Sequence, residues 1–210
     1  MMEKIIVLAT RNAGKIAELE KTLSEYGLSV RGLDTYPEIG EIVEDGETFE
    51  ENSLIKARTV AQLTGLVAVA DDSGLEVDAL GKAPGVYSAR YSDGTANLKG
   101  ETRDKRNNEK LLIELARIPH DKRTARFRCV MSACSPSGNC ITASGAWEGF
   151  IGTKEVGDNG FGYDPLFIDA KDGAVSALLS REEKNKRSHR GKALEALLTQ
   201  WEEFWKEHGR

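Results

Sequence analysis

Two adjacent carboxylates, Asp71 and Asp72, end the apolar run Val67 to Ala70 and lead into Ser73, Gly74 and Leu75 (VAVADDSGL). A short apolar run closed by a polar turn reads as a buried strand with the acidic pair at its exit. Side chains alternate along an extended segment, so the two aspartates are expected on opposite faces. One can then face reacting groups while the other ties down the turn. Carboxylates at the mouth of a strand are a usual way to hold a hard cation such as Mg²⁺ beside a substrate. The same letters also make a plain Asx-type turn before Gly74, so the chemical reading depends on the company the pair keeps.

That company begins near the N-terminus. Ile5 to Thr10 is an apolar strand candidate, followed by RNAGK and by a helical pattern from Ile16 to Tyr26 with Ile16, Leu19 and Leu23 at helical spacing. A strand, a polar loop containing glycine and a helix start aim backbone N–H groups and a positive dipole end at an anion. Lys15 adds a cation, and Thr10 and Asn12 add short hydrogen-bonding groups. The loop is not a Walker A motif, because the required earlier glycine is missing and no Ser or Thr follows Lys15. An ordinary strand-to-helix turn explains the same letters.

A dense acidic stretch, EIVEDGETFEEN, follows a second short strand over Leu28 to Leu33. Thr48 and Glu51 form a capping box that opens a helix from Phe49 to about Thr64, in which Leu54, Ala57, Arg58 and Ala61 continue the period. Glu50 sits where a helix dipole favours negative charge. Glu44 precedes the cap and has no such explanation, which makes it the better candidate for a second metal carboxylate.

Past the acidic pair, GKAPGVYSARYSDG is a loop rich in Gly, Pro and Tyr, of a kind that lines a site or an interface or simply covers surface. Arg103 to Ala116 reads as an amphipathic helix with Leu111, Leu112 and Leu115 inward. Ala125 to Ala133 and Cys140 to Trp147 flank SPSGN as a β-hairpin. EVGDNGFGYDPLFI resembles a nucleotide loop but does not match GxGxxG, so the dinucleotide fingerprint is rejected. Phe161 and Tyr163 offer aromatic faces on which a base can stack, Asp164 offers an acceptor, and the glycines allow close approach. A tight turn with Phe161 in the core is the competing reading.

REEKNKRSHRGK opens the expected C-terminal helix with Lys184, Lys186, Arg187, His189, Arg190 and Lys192. Cations at a helix start oppose its dipole, so some of them should have another partner, such as a triphosphate and a purine edge. A solvated face or a nucleic-acid patch is the plainer account of such a run. Leu194, Leu197, Leu198, Trp201 and Trp205 give the helix its buried stripe.

The composition bounds these readings. The 210 residues suffice for one sizeable domain or two small lobes, with 30% charged and 40% hydrophobic residues. A formal charge of −5 makes a general nucleic-acid binder the weaker default. No apolar run reaches membrane-spanning length and the N-terminus lacks a signal-peptide layout, so a cytoplasmic protein is expected. Cys129, Cys134 and Cys140 show no metal-ligand spacing and read as free thiols packed as small hydrophobes.

TRNAGK, EDGETFEEN, ADDSGL, APGVYSARY, GFGYDP and EEKNKRSHRGKAL, in this order from about Ile5 to Leu198, resemble the inosine/xanthosine triphosphate pyrophosphatases, the Ham1-like enzymes that remove non-canonical purine nucleotides. Each motif is weak alone; the ordered set is specific. The resemblance implies an α/β fold, an elongated mixed β-sheet with flanking helices in two lobes around a central nucleotide-binding cleft, as a single domain over 1–210. It also implies a homodimer, Mg²⁺ as cofactor, and hydrolysis of ITP, dITP or XTP to monophosphate and pyrophosphate.

By motif, the resemblance makes Asp72 the proton acceptor and a Mg²⁺ ligand, with Glu44 the second metal carboxylate. Thr10, Arg11, Asn12, Ala13, Gly14 and Lys15 hold phosphates, and Ser73 contacts substrate. Phe161, Gly162, Tyr163, Asp164, Lys184, His189 and Arg190 bind the nucleotide, with His189 and Arg190 reading the base edge. Arg11 either touches phosphate or points to solvent. Spacing alone does not separate Asp72 as base from the inverse assignment with Asp71. Two rivals stand beside this reading: a nucleic-acid-binding module using the basic segment, and a pyrophosphatase of different base preference.

Overall fold

The computed structural model describes residues Lys4–His208. Six strands form one sheet in the order β2-β1-β3-β4-β5-β6. They are β1 (Lys4–Leu8), β2 (Leu28–Gly32), β3 (Val67–Val77), β4 (Thr124–Cys134), β5 (Cys140–Ile151) and β6 (Phe167–Asp169). The helices are α1 (Ala13–Glu25), α2 (Phe49–Thr64), α3 (Arg103–Glu114), α4 (Arg181–Arg187), α5 (His189–Leu198) and α6 (Trp201–His208). β1 pairs in parallel with both β2 and β3, whereas β5 and β6 are antiparallel. The expected mixed α/β architecture is therefore present. Among the described residues no helix is long and apolar enough to cross a membrane.

The chain gathers into two compact units, each assembled from separate stretches. The first holds residues up to Asp72, Cys129–Gly145 and the chain from Arg190 onward; the second holds Ser73–Arg128 and Ala146–His189. The chain thus passes from one unit to the other four times, at Asp72/Ser73, Arg128/Cys129, Gly145/Ala146 and His189/Arg190. In the first unit, Ile6, Leu8, Val67, Val69 and Met131 pack with Leu19 and Leu23 of α1 and with Leu194, Leu197, Trp201 and Phe204 near the C-terminus. Val7, Ala68 and Ala70 form another cluster with Ala57, Val60 and Ala61 of α2. β1 and β3 are therefore apolar on successive residues because both of their faces are covered, as parallel strands require. In the second unit Leu75, Val77, Phe127, Trp147, Tyr163 and Phe167 pack with Leu111 of α3 and with Leu115 just past its end.

Several boundaries differ from expectation for identifiable reasons. β3 does not end at the acidic pair but runs on to Val77, because Leu75 and Val77 are fully buried and continue the strand. Asp71 and Asp72 are thus mid-strand residues, and Ser73-Gly74 is not a turn. α1 begins at Ala13, where the Asn12 side chain accepts from the Gly14 and Lys15 N–H groups. α2 has the expected span and capping box, but its inner face carries Asn52, Ser53, Lys56, Ala57 and Val60 while Arg58 is exposed. The expected single C-terminal helix is three helices, broken first where Ser188 adopts an extended conformation. The free-thiol reading is overturned for two of the cysteines: Cys134 and Cys140 form a disulfide across the hairpin turn, and Cys129 remains a buried thiol. The two flank the SPSGN loop, which folds back through bonds between Ser135 and Asn139 and brings its ends together.

Candidate active site

β3 sets the centre of the first unit's polar cluster. Alternation along the strand gives Asp71 and Asp72 different surroundings, as the sequence predicts. Asp71 Oδ2 lies 2.9 Å from Lys15 Nζ, supplied by the first turn of α1, and accepts from Arg190 Nε at 3.2 Å. Arg190 Nη1 in turn donates to Glu18 of α1. Asp71, Glu18 and Arg190 are all buried. Burial opposes the charge on Asp71, but Lys15, Arg190 and Lys56 outweigh it and hold the carboxyl far below the usual carboxylate range. Asp71 is thus held as an anion at neutral pH.

Asp72 meets a different set. Lys56 Nζ, from the inner face of α2, stands 3.3 Å from Asp72 Oδ1 and 2.7 Å from Glu44 Oε2. Asp72 Oδ2 is buried with no hydrogen-bond partner among the described residues. Burial pushes the Asp72 carboxyl above the usual range; Lys56 and Lys15 offset this only in part, and Glu44 and Asp71 reinforce it. Lys56, although burial disfavours its charge, is held protonated by Asp72, Asp71 and Glu44. An ammonium bridging two carboxylates occupies the kind of position a hard cation takes.

The segment bearing Glu44 is anchored at both ends. Arg11 Nη2 donates to the Ile39 carbonyl at 2.5 Å and Nη1 to that of Gly40 at 3.4 Å. At the other end, Gly46 N–H donates to Asn52 Oδ1 at 2.9 Å, and Glu47 and Thr48 N–H groups donate to Glu51. Arg11, an exposed residue, thus bonds the backbone of the segment that leads to Glu44. In the Thr10 to Lys15 loop, Thr10 Oγ1 accepts from the Asn12 N–H at 3.1 Å, and Asn12 Oδ1 caps the Gly14 and Lys15 amides. Ala13 is the exposed first residue of α1, followed by a half-buried Gly14.

The second unit builds a separate cluster around Asp164. Its Oδ2 accepts from Lys184 Nζ at 2.6 Å and from the Phe161 N–H at 2.8 Å, and its Oδ1 accepts from Ser176 Oγ at 2.7 Å. Lys184 Nζ also lies 4.9 Å from the centroid of the Phe161 ring, a cation–π arrangement. Gly160 has φ +81°, and a Cβ there would fall 2.1 Å from Asp164 Oδ2, so only glycine fits. Phe161 is half-buried, in contrast to Tyr163, whose ring belongs to the core and whose hydroxyl donates to the Ser88 carbonyl at 2.8 Å. Of the two expected aromatic residues, Phe161 is thus partly exposed, whereas Tyr163 is buried. His189 stacks on Phe127 with centroids 4.8 Å apart, and Ser73 lies half-buried in β3.

Geometry thus joins Lys15, Asp71 and Arg190, joins Glu44 with Asp72, and joins Phe161, Asp164 and Lys184. Of the cations expected to oppose a helix start, Lys184, Lys186 and Arg187 fall in the last turn of α4, where the dipole favours them, behind a Ser180 capping box with Glu182 and Glu183; His189, Arg190 and Lys192 do lie in the first turn of α5. Lys56 and Glu18 also belong to the first unit's cluster, and sequence reasoning does not find them. Their only signal is a polar residue where the helical period demands an inward one.

Comparison with known proteins adds a family. The profile of the Ham1 family matches residues 6–200. A dITP/XTP pyrophosphatase of Nitratidesulfovibrio vulgaris is 66% identical over 98% of this chain and its own whole length. One from Geobacter sulfurreducens is 50% identical over 92% of this chain and 94% of its own. The structure of a Ham1 protein from Coxiella burnetii superposes with a TM-score of 0.82 at 39% identity, covering 95% of this chain and 98% of that one.

Proposed function

This chain belongs to the Ham1 family, and from that premise we propose that it hydrolyses the non-canonical purine nucleoside triphosphates dITP, XTP and ITP to monophosphate and pyrophosphate, clearing them before they enter nucleic acid. The names of its relatives support the reaction. The observation that carries the site is the split between neighbouring aspartates: Lys15 and Arg190 hold the Asp71 carboxyl far below the usual carboxylate range, whereas burial pushes that of Asp72, beside Lys56 and Glu44, above it. A general base is a carboxylate whose pKa is lifted toward the working pH.

Mg²⁺ as cofactor and a homodimeric assembly belong to the same proposal. The donor set fits Mg²⁺: two carboxylates, Glu44 and Asp72, share one cation, and Asp72 Oδ2 has an unused lone pair. Among the described residues no group of three or more His, Cys, Asp or Glu is arranged for a metal. Mg²⁺ is commonly held by one or two carboxylates together with substrate phosphates, so two suffice. Bound there, the ion would supply a hard Lewis acid that neutralises phosphate charge.

The chain's own groups do the rest. Lys15 and Lys56 place positive charge beside the triphosphate, since phosphoryl transfer is catalysed mainly by positioning and charge neutralisation. Asp72 takes the proton of the attacking water. Phe161 offers its ring to the base, with Lys184 fixed behind it. Arg190, whose Nε and Nη1 serve Asp71 and Glu18, is a fork of five donors. With His189 it is assigned to the 6-carbonyl of hypoxanthine or xanthine, where adenine would present a donor instead.

Pyrophosphate release across ITP, XTP, dITP, GTP, ATP and dUTP, with Mg²⁺ and then with EDTA, tests the proposal. The first three should be hydrolysed far faster, and only with metal. Activity that persists in EDTA removes the metal. Orthophosphate and a diphosphate in the phosphorus NMR spectrum would move the protein to another reaction.

A further inference from the structure

Resting on that functional reading, we propose that α3 positions the base platform: Asp104 and Asn108 grip both polar groups of Gly162 and so fix the ring of Phe161. The two residues stand four apart, on one face of the helix. Asp104 Oδ2 accepts from the Gly162 N–H at 2.8 Å. Asn108 Nδ2 donates to the Gly162 carbonyl at 3.2 Å and to Glu155 Oε1 at 2.7 Å. Gly162 is in the left-handed region, φ +62°, a backbone conformation that needs external support to hold one register. On the other side, the Phe161 N–H is taken by Asp164. The platform is thus pinned on its N-terminal side by Asp164 and on its C-terminal side by α3.

α3 is itself fixed well enough to act as a reference. Asn107 is buried, donates to the Ser88 and Ala89 carbonyls at 3.2 and 3.3 Å, and accepts from the Ser92 N–H at 2.8 Å. Tyr163, next to Gly162, donates to the same Ser88 carbonyl. Loop, helix and the 85–92 segment therefore share one hydrogen-bond network. Asp104 and Asn108 touch no reacting atom; they are positioning residues for nucleotide recognition. Asp104 is exposed, so its replacement leaves the core intact.

A base-free ligand separates positioning from general stability. Steady-state kinetics with dITP and XTP are compared with the inhibition constant of inorganic tripolyphosphate, and hydrogen exchange is followed over residues 158–164. In Asp104→Ala the KM for dITP should rise about tenfold with kcat within about twofold, as loss of a charge-assisted bond used equally in ground and transition states predicts. Tripolyphosphate inhibition should not change, and exchange in the loop should quicken. Asp104→Asn keeps an acceptor and should return KM to within about twofold of the wild type; it also controls for the lost helix-terminal charge. Asn108→Leu, which removes the donor at similar volume, should repeat the Asp104→Ala pattern. Equal weakening of dITP and tripolyphosphate, or faster exchange with unchanged KM, overturns the positioning role alone. A wild-type protein that hydrolyses no purine triphosphate overturns the functional reading instead.

Discussion

On one side of β3, Asp71 lies against the half-buried Lys15 and the buried Arg190, and Arg190 also pairs with Glu18. On the other, Asp72 and Glu44 share the single ammonium of Lys56, and one carboxylate oxygen of Asp72 is unbonded. Of the charges named, the first group carries two of each sign, whereas the second carries one more negative than positive. Balance makes Asp71 an anion at every working pH, whereas imbalance and burial make Asp72 reluctant to be one. A chemical difference between two identical side chains thus comes from which helix each one faces: α1 brings the cation to Asp71, α2 to Asp72.

The most damaging change should be at the open side. Asp72→Asn should lower kcat by at least ~10²–10⁴, the usual cost of losing a general base, with a near-normal melting temperature. Asp71→Asn should do the reverse in kind, leaving Arg190 and Lys15 short of a counter-charge in a buried setting, at a cost of about 3 kcal/mol. For a chain of this size that corresponds to a fall in Tm of about 10 °C, read by calorimetry. If Asp71→Asn were the stable, inactive variant and Asp72→Asn the unstable, active one, the roles are exchanged.

This division is partly legible in the sequence. Alternation of side chains along a strand sets the two aspartates facing apart, and Thr48 with Glu51 locates the start of α2 to the residue. The continuation of β3 is not legible, since Ser73 and Gly74 are turn letters locally and only burial of Leu75 and Val77 overrides them. Lys56 is hidden because a lysine on a helix is ordinarily a solvated residue. Its inward place follows from the i, i+4 row Asn52, Lys56, Val60, which is visible only once the phase of α2 is known. The break at Ser188 escapes because no Gly or Pro stands at it, and the Gly nearest to it, Gly191, lies inside α5. The Cys134–Cys140 link depends on hairpin pairing, which sequence places only to within a residue or two.

Acid titration sharpens the contrast in a single measurement. The folded-state pKa of Asp71 is depressed, so its contribution to stability is complete above the unfolded carboxylate value, near 4, and is lost as pH falls below that. Between those limits the unfolded chain binds a proton that the native one refuses. Thermal unfolding of the wild type should therefore weaken from about pH 4 downward more steeply than that of Asp71→Asn, which has no proton to take up. Parallel curves would assign the acid limb to other carboxylates.

The smallest effect concerns Arg11, which supports the open side without belonging to it. Its guanidinium holds the carbonyls of Ile39 and Gly40, while Asn52 and Glu51 hold residues 46–48, so Glu44 lies on a short span tied at both ends. Removing one tie leaves Lys56 still bonded to Glu44 and leaves Ile39 in the apolar cluster. The expected loss is therefore that of one or two partly exposed hydrogen bonds, about 1 kcal/mol, and it should fall on the placement of Glu44 rather than on Asp72 or Phe161. Arg11→Met, which keeps the aliphatic stem, should raise the Mg²⁺ concentration for half-maximal activity about fivefold. The ratio of kcat/KM values for ITP and ATP should not move, nor should kcat at saturating Mg²⁺. A loss of kcat at saturating metal with an unchanged Mg²⁺ midpoint would instead mean that Arg11 turns to the triphosphate when substrate is bound.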